Sequence, residues 1–217
     1  MRFSAARTGL AALVMCAFAT GTASAASFSF TGTFSTDDQL AQIPFSLSSP
    51  ATITTVTYSY AGGTNQAGTN IPEGGFDPYL AIFDATGNLI QQNDNGTCFT
   101  QVPQDSVTGS CFDSYISQTL AAGAYTLILS QSPNSPVDNQ LADGYTQTGN
   151  PNFTGSFYGC SNGMFCDANS DNRSPDWAVD IDNVTTAGST VPEPRTVPLV
   201  GGVIGALSIW RRRRSAA

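Results

Sequence analysis

The chain has 217 residues, room for one domain of ordinary size between two short terminal segments. It holds sixteen acids against eight arginines, with no lysine and no histidine, for a formal net charge of −8. Without histidine, no Ser-His-Asp or Cys-His relay and no His-ligated zinc site can form. Seven of the arginines lie at the ends, so residues 26–186 carry fifteen acids against Arg173 alone, a balance of −14. Such a surface repels nucleic acid and anionic lipid and attracts cations.

Residues 1–25 read as a secretory signal peptide. Arg2 and Arg7 precede an apolar run over residues 9–19, and Ala23-Ser24-Ala25 supplies a small-residue cleavage site. Met15 before Cys16 is too large for lipoprotein processing. Signal peptidase and the Sec export machinery are the expected first partners.

From Ser27 the pattern has period two. Phe28, Phe30, the apolar positions of residues 40–47, then Val56, Tyr58 and Tyr60 alternate with Ser, Thr and Gln, as half-buried strands do. Pro50, Gly62-Gly63 and Gly74-Gly75 punctuate them. Residues 79–83 read as a strand and 88–92 as its return, with Asp84 and Gly87 at the first and last positions of a type I turn. Residues 123–131 make another strand. Near the domain's end Trp177, Val179 and Ile181 share one face, and Asp180 and Asp182 the other. No helical period stands out. The expectation is an all-β, two-sheet, jelly-roll-like sandwich over residues 26–186.

Removing Cys16 with the signal leaves Cys98, Cys111, Cys160 and Cys166, an even number that argues for two disulfides in an exported domain. Of the three pairings, Cys98–Cys111 and Cys160–Cys166 are favoured because each closes a short local loop. Two sets of acids are candidate calcium ligands. Asp167, Asn169 and Asp171 have the rhythm that opens a calcium loop, although Asn172 replaces the turn glycine and Ala178 the closing glutamate. Asp77, Asp84, Asp94 and Asp113 form a second set only if their turns meet at one rim, and such aspartates more often cap their own turns. Calcium is the one cofactor considered. The aromatics Tyr58, Tyr60, Tyr79, Tyr145, Phe157, Tyr158 and Trp177 would make a sugar-stacking platform if exposed, and core if not.

Beyond the domain come a linker and the turn Pro192-Glu193-Pro194 within residues 187–196, an apolar run over residues 197–210 that reads as a single transmembrane segment, and the cytoplasmic tail 211–217 with Arg211, Arg212, Arg213 and Arg214. Fourteen residues span about 21 Å as a helix, short of the roughly 30 Å hydrocarbon core. The arginines should stay cytoplasmic. This order resembles the PEP-CTERM sorting signal of Gram-negative bacteria, with Arg195 and Pro198 standing where small or apolar residues are more usual. The resemblance implies an exosortase, a membrane protease-transpeptidase, as the partner that cuts near Pro192, Glu193 and Pro194.

The middle resembles exported β-sandwich domains found ahead of such tails, similar in pattern to bacterial pre-peptidase C-terminal domains. The shared positions are Gly74-Gly75-Phe76-Asp77-Pro78, Ile82-Phe83-Asp84 with Gly87, Asn93-Asp94, Phe112-Asp113-Ser114-Tyr115, Ala122-Gly123-Ala124-Tyr125-Thr126-Leu127, Asp143-Gly144-Tyr145, Pro151-Asn152-Phe153-Thr154 and Trp177-Ala178-Val179-Asp180. This likeness implies a non-catalytic appendage, and the tail's resemblance implies that it is transiently held at the inner membrane and then at the cell surface, outer membrane or biofilm matrix, with exopolysaccharide as a candidate partner. The alternatives are a carbohydrate-binding module and, third, a carboxylate-pair glycosidase.

Overall fold

The computed structural model describes residues 24–188. The signal-peptide reading up to residue 23, the sorting motif Pro192, Glu193 and Pro194, the segment 197–210 and the arginines 211–214 lie outside the described residues. Among the described residues no helix is long and apolar enough to cross a membrane.

Eleven strands follow in order: β1 (Ala26–Thr33), β2 (Ala41–Leu47), β3 (Ala51–Thr57), β4 (Gly63–Thr64), β5 (Asn70–Ile71), β6 (Pro78–Asp84), β7 (Leu89–Asp94), β8 (Tyr115–Leu120), β9 (Gly123–Gln131), β10 (Asp176–Val184) and β11 (Thr186–Ala187). One sheet runs β1-β10-β3-β8 and the other β11-β2-β9-β6-β7, both antiparallel; β4 and β5 pair as a separate hairpin. The chain passes back and forth between the sheets, and among the long strands only β6 and β7 are neighbours both in sequence and in a sheet.

Alternation decides what each strand buries. Ile43 and Phe45 of β2, Leu80 and Ile82 of β6, and Leu127 and Leu129 of β9 face Ile53, Ile116, Trp177, Val179 and Ile181 of the other sheet in one core. The opposite face of the five-stranded sheet is not left wet. Tyr79, Ala81, Phe83 and Ile128 lie there beneath Tyr145 and Leu141, which the long β9–β10 connection folds over them. This explains why β6 reads as a continuous apolar run, since it is buried on both faces.

The expected hairpin is present: the Gly87 N–H donates to the Asp84 carbonyl (3.0 Å). The expectation of no helix is corrected by α1 (Phe153–Tyr158) and a 3-10 turn at Leu141–Asp143. Six residues are under two turns, too few for a 3.6-residue period to register. Gly159 ends α1 in the left-handed conformation (φ 73°) and returns its N–H to the Gly155 carbonyl.

Candidate functional site

The turns do meet at one rim, though with a different membership from the one expected. Asp77 stands just before β6 and Asp94 ends its antiparallel partner β7, so both lie at the same end of the sheet. Asp113 precedes β8, Asp167 lies in the loop before β10, and the charges of Asp94, Asp113 and Asp167 all act on Asp77. Asp84 is at the other end of β6, about 20 Å away at the ordinary rise of a strand. Its carboxylate is spent in its own turn, accepting from the Thr86 and Asn88 N–H groups, the Thr86 hydroxyl and the Asn88 amide. Those bonds, led by the ones from Asn88 and Thr86, hold its pKa well below the usual range.

The rim carboxylates differ in how well they are satisfied. Asp113 is fully buried, and accepts from the Thr57 hydroxyl (2.8 Å), the Tyr60 N–H (3.1 Å) and the Ala61 N–H (2.8 Å). Burial still pushes its pKa up to about 6 against those bonds. Asp167 is also buried, and accepts from the Tyr60 hydroxyl (2.5 Å) and the N–H groups of Asn169 and Asp171. The D-x-N-x-D loop thus closes on its own backbone, with Asn169 and Asp171 exposed and the Asn169 amide donating to Ser110. Asp94 is exposed as a residue, but its carboxyl turns in to the Ser132 hydroxyl (3.0 Å), and desolvation there raises its pKa against that bond.

Asp77 is the least compensated of the four. It is buried, its one side-chain donor is the Asn95 amide (3.2 Å), and burial with the Asp94, Asp113 and Asp167 charges holds its pKa well above the ordinary range. Close by, Gln131 is buried; its amide nitrogen donates to the Cys166 carbonyl, and its Oε1 meets no donor. Even so, among the described residues no three carboxylate or thiol groups converge on a point where they could hold one ion.

Arg173 is the organising residue that sequence reading passed over. Its guanidinium is buried, donating from Nε to the Gly75 carbonyl (2.9 Å) and from NH2 to the Tyr60 carbonyl (2.7 Å) and Asp105 (3.1 Å). It also lies 3.7 Å above the Tyr60 ring. Burial works to raise the Asp105 pKa, but hydrogen bonds from Thr108 and Arg173 outweigh it, leaving that carboxyl below its usual range. The signal was in the composition: one cation among fifteen acids is a natural internal counter-ion.

Both favoured disulfides are present, Cys98–Cys111 and Cys160–Cys166, as suits an oxidising, exported environment. The first closes the 98–111 loop, which Ser106 pins to Glu73 through both carboxylate oxygens. Of the aromatics, Tyr60, Tyr79, Tyr145 and Trp177 are buried, and Phe157 is exposed on α1 beside the half-buried Tyr158. A cleft of about 470 Å³ lies at the edge of the four-stranded sheet, and its walls include Thr31, Thr33, Glu73, Ser174 and Asp176. Thr33 and Ser174 donate to Asp176 there. The chain matches no protein-family model, and no curated protein is detectably similar to it in sequence.

Proposed function

We propose that this is a non-catalytic, exported protein of the cell surface or biofilm matrix, held briefly by its C-terminal segment and released by an exosortase acting at Pro192, Glu193 and Pro194. The observation that carries the reading is the order of three physical parts in residues 192–214: a stiff acidic turn, an apolar run too short for durable anchoring, and four fixed positive charges. The two disulfides support export. The strand order supports a jelly roll: of the eight long strands, the first, eighth, third and sixth form one sheet and the second, seventh, fourth and fifth the other. By the same resemblance, exopolysaccharide is the proposed partner.

Intact-mass measurement of the protein from its native host, with and without the sorting protease, tests the reading. The wild-type host should yield a chain beginning at Ala26 and ending near Pro194, and the protease-free host should retain the arginines. With Glu193→Ala, uncleaved protein should accumulate in the inner membrane; unchanged processing refutes the assignment.

A second reading, carbohydrate binding, is favoured by the hydroxyl- and acid-lined cleft at Glu73 and Asp176. It expects binding on a glycan array that weakens at least tenfold with Asp176→Ala.

A further inference from the structure

The outer face of the four-stranded sheet carries a second acidic feature, built differently from the rim. Strand alternation points Trp177, Val179 and Ile181 of β10 into the core, and so turns Asp180 and Asp182 outward. Asp180 stands opposite Val56 of β3 and Ser29 of β1, and Asp182 opposite Thr54. Between the pairs Phe28↔Ile181 and Ala26↔Val184 the register slips, so Asp182 and Asn183 together oppose Ser27. This is a β-bulge, with Asn183 in the left-handed region (φ 61°) and its amide donating to the Thr52 carbonyl. Bulges re-aim side chains. Here the extra residue lets Val184 return to the core while Asp182 stays on the outer face beside Asp180.

The β4–β5 hairpin folds over this spot. Its tip is closed by the Asn65 carboxamide accepting from the Thr69 N–H, and it donates the Gln66 N–H to Asp180 Oδ2 (2.7 Å) and the Ala67 N–H to the Ser29 hydroxyl (3.1 Å). One oxygen of Asp180 is thereby satisfied. Its other oxygen, Oδ1, is buried and has no hydrogen-bond partner, and Asp182 Oδ1 is in the same condition. Asp180 as a whole is inaccessible to solvent. The Ser29 and Tyr58 hydroxyls approach the Asp180 carboxyl as donors, and Oδ1 is still left without a partner in hydrogen-bond geometry. Two buried carboxylate oxygens without donors, two residues apart on one strand face, are costly unless a positive charge meets them. No side chain of the described residues supplies it, because their one cation, Arg173, is committed to Asp105 and the Gly75 and Tyr60 carbonyls.

We propose that Asp180 and Asp182 form a divalent-cation site, for Ca²⁺, on the outer face of β10 at the foot of the β4–β5 hairpin. The donors are carboxylate oxygens, with no nitrogen or sulfur among them, which suits a hard cation; the Tyr58 phenol beside them serves as a luminescence antenna and not as a ligand. Residues two apart on a strand have Cα atoms about 7 Å from each other, a gap that a pair of Ca–O bonds of about 2.4 Å, on carboxylates leaning together, can span. Occupancy would tie the hairpin tip to the bulge and so fasten the cover over this sheet. The site is separate from the rim around Asp77 and independent of the sorting tail.

The test uses the full-length chain in detergent, stripped with chelator and titrated with CaCl₂ to about 10 mM, past the weakest extracellular class of calcium modules. Binding heat, melting temperature and terbium luminescence sensitised by neighbouring tyrosine are read together. Wild type should take up the ion with a rise in melting temperature. Asp182→Asn, at a half-buried position that holds no backbone N–H, should fold and lose at least tenfold in affinity. Tyr58→Phe should keep calcium binding while losing most of the sensitised emission. Asp77→Asn and Asp94→Asn should bind as wild type. The proposal is overturned if wild type shows neither heat nor a melting shift, or if affinity falls with Asp77→Asn or Asp94→Asn and not with Asp182→Asn. It is overturned equally if acidification alone, without calcium, gives a stabilisation that Asp182→Asn abolishes, for then the two carboxyls share a proton.

Discussion

Replacing Arg173 with methionine is the sharpest test of what holds the rim together. Methionine keeps much of the apolar stem but removes a guanidinium that serves Asp105, the Gly75 and Tyr60 carbonyls and the Tyr60 ring at once. The Asp105 side chain is wholly buried, and Arg173 is the one donor to its Oδ2; Oδ1 keeps the Thr108 N–H and hydroxyl. Breaking a buried ion pair from one side costs about 3–5 kcal/mol. The buried Tyr60 carbonyl keeps the Gly74 N–H as a donor (3.0 Å), so we place the total at about 4 kcal/mol, a large share of the 5–15 kcal/mol that holds a domain together. Asp105→Asn in the same background removes the unpaired charge and should return about 2 kcal/mol. Urea unfolding followed by the fluorescence of buried Trp177 measures all four corners of the cycle. A loss under about 1 kcal/mol for Arg173→Met, or strict additivity with Asp105→Asn, refutes the counter-ion argument.

The remaining predictions concern pH, cross-links and close approach. The folded pKa of Asp113, about 6, lies above its ordinary 3.8, so the folded state holds the extra proton between those values. Its contribution to stability therefore falls as pH rises from about 4 to about 6, by about 3 kcal/mol in all. The urea-midpoint profile of Asp113→Asn should lack this descent, and parallel profiles for the two proteins defeat the claim. Cys98→Ser with Cys111→Ser opens a loop spanned by a separation of 13 residues and should cost about 3 kcal/mol in the chain-entropy model, read from the urea midpoint under oxidising conditions. Gly75→Ala places a Cβ 2.3 Å from the Ser59 carbonyl oxygen and 2.5 Å from that of Asp176. Both are backbone atoms, so the variant should lose about 2–3 kcal/mol, and a melting temperature equal to wild type counts against this packing.

Period-two patterning made the faces legible and the neighbours illegible. Trp177, Val179 and Ile181 could be assigned to the core, and Asp180 and Asp182 to the outside, from spacing alone. That β10 lies between β1 and β3 could not, because alternation carries no information about which strand pairs with which, and nearly every connection here jumps between sheets. The bulge at Asp182 and Asn183 was hidden for the same reason: it is a property of register, which exists only once two strands are aligned.

The acids tell the more general lesson. With one arginine for fifteen carboxylates in residues 26–186, folding can pair only Asp105 with a side-chain cation, so it must surround its other buried acids with N–H and O–H donors. Asp37 does this with Thr154 and Phe165, Asp113 with the turn after β3, and Asp167 with its own loop and Tyr60. Each binds a connection to the sandwich, which is how loops this long are held with so little helix. The arithmetic also says where to look for chemistry. A carboxylate that is buried and left short of donors, as at Asp77, Asp180 and Asp182, is there despite its cost. In a protein with no lysine or histidine to relieve it, the compensating charge must be a proton or a cation taken from the medium. At Asp180 and Asp182 the geometry favours the cation, since a bulge and a docked hairpin hold two such oxygens on one face.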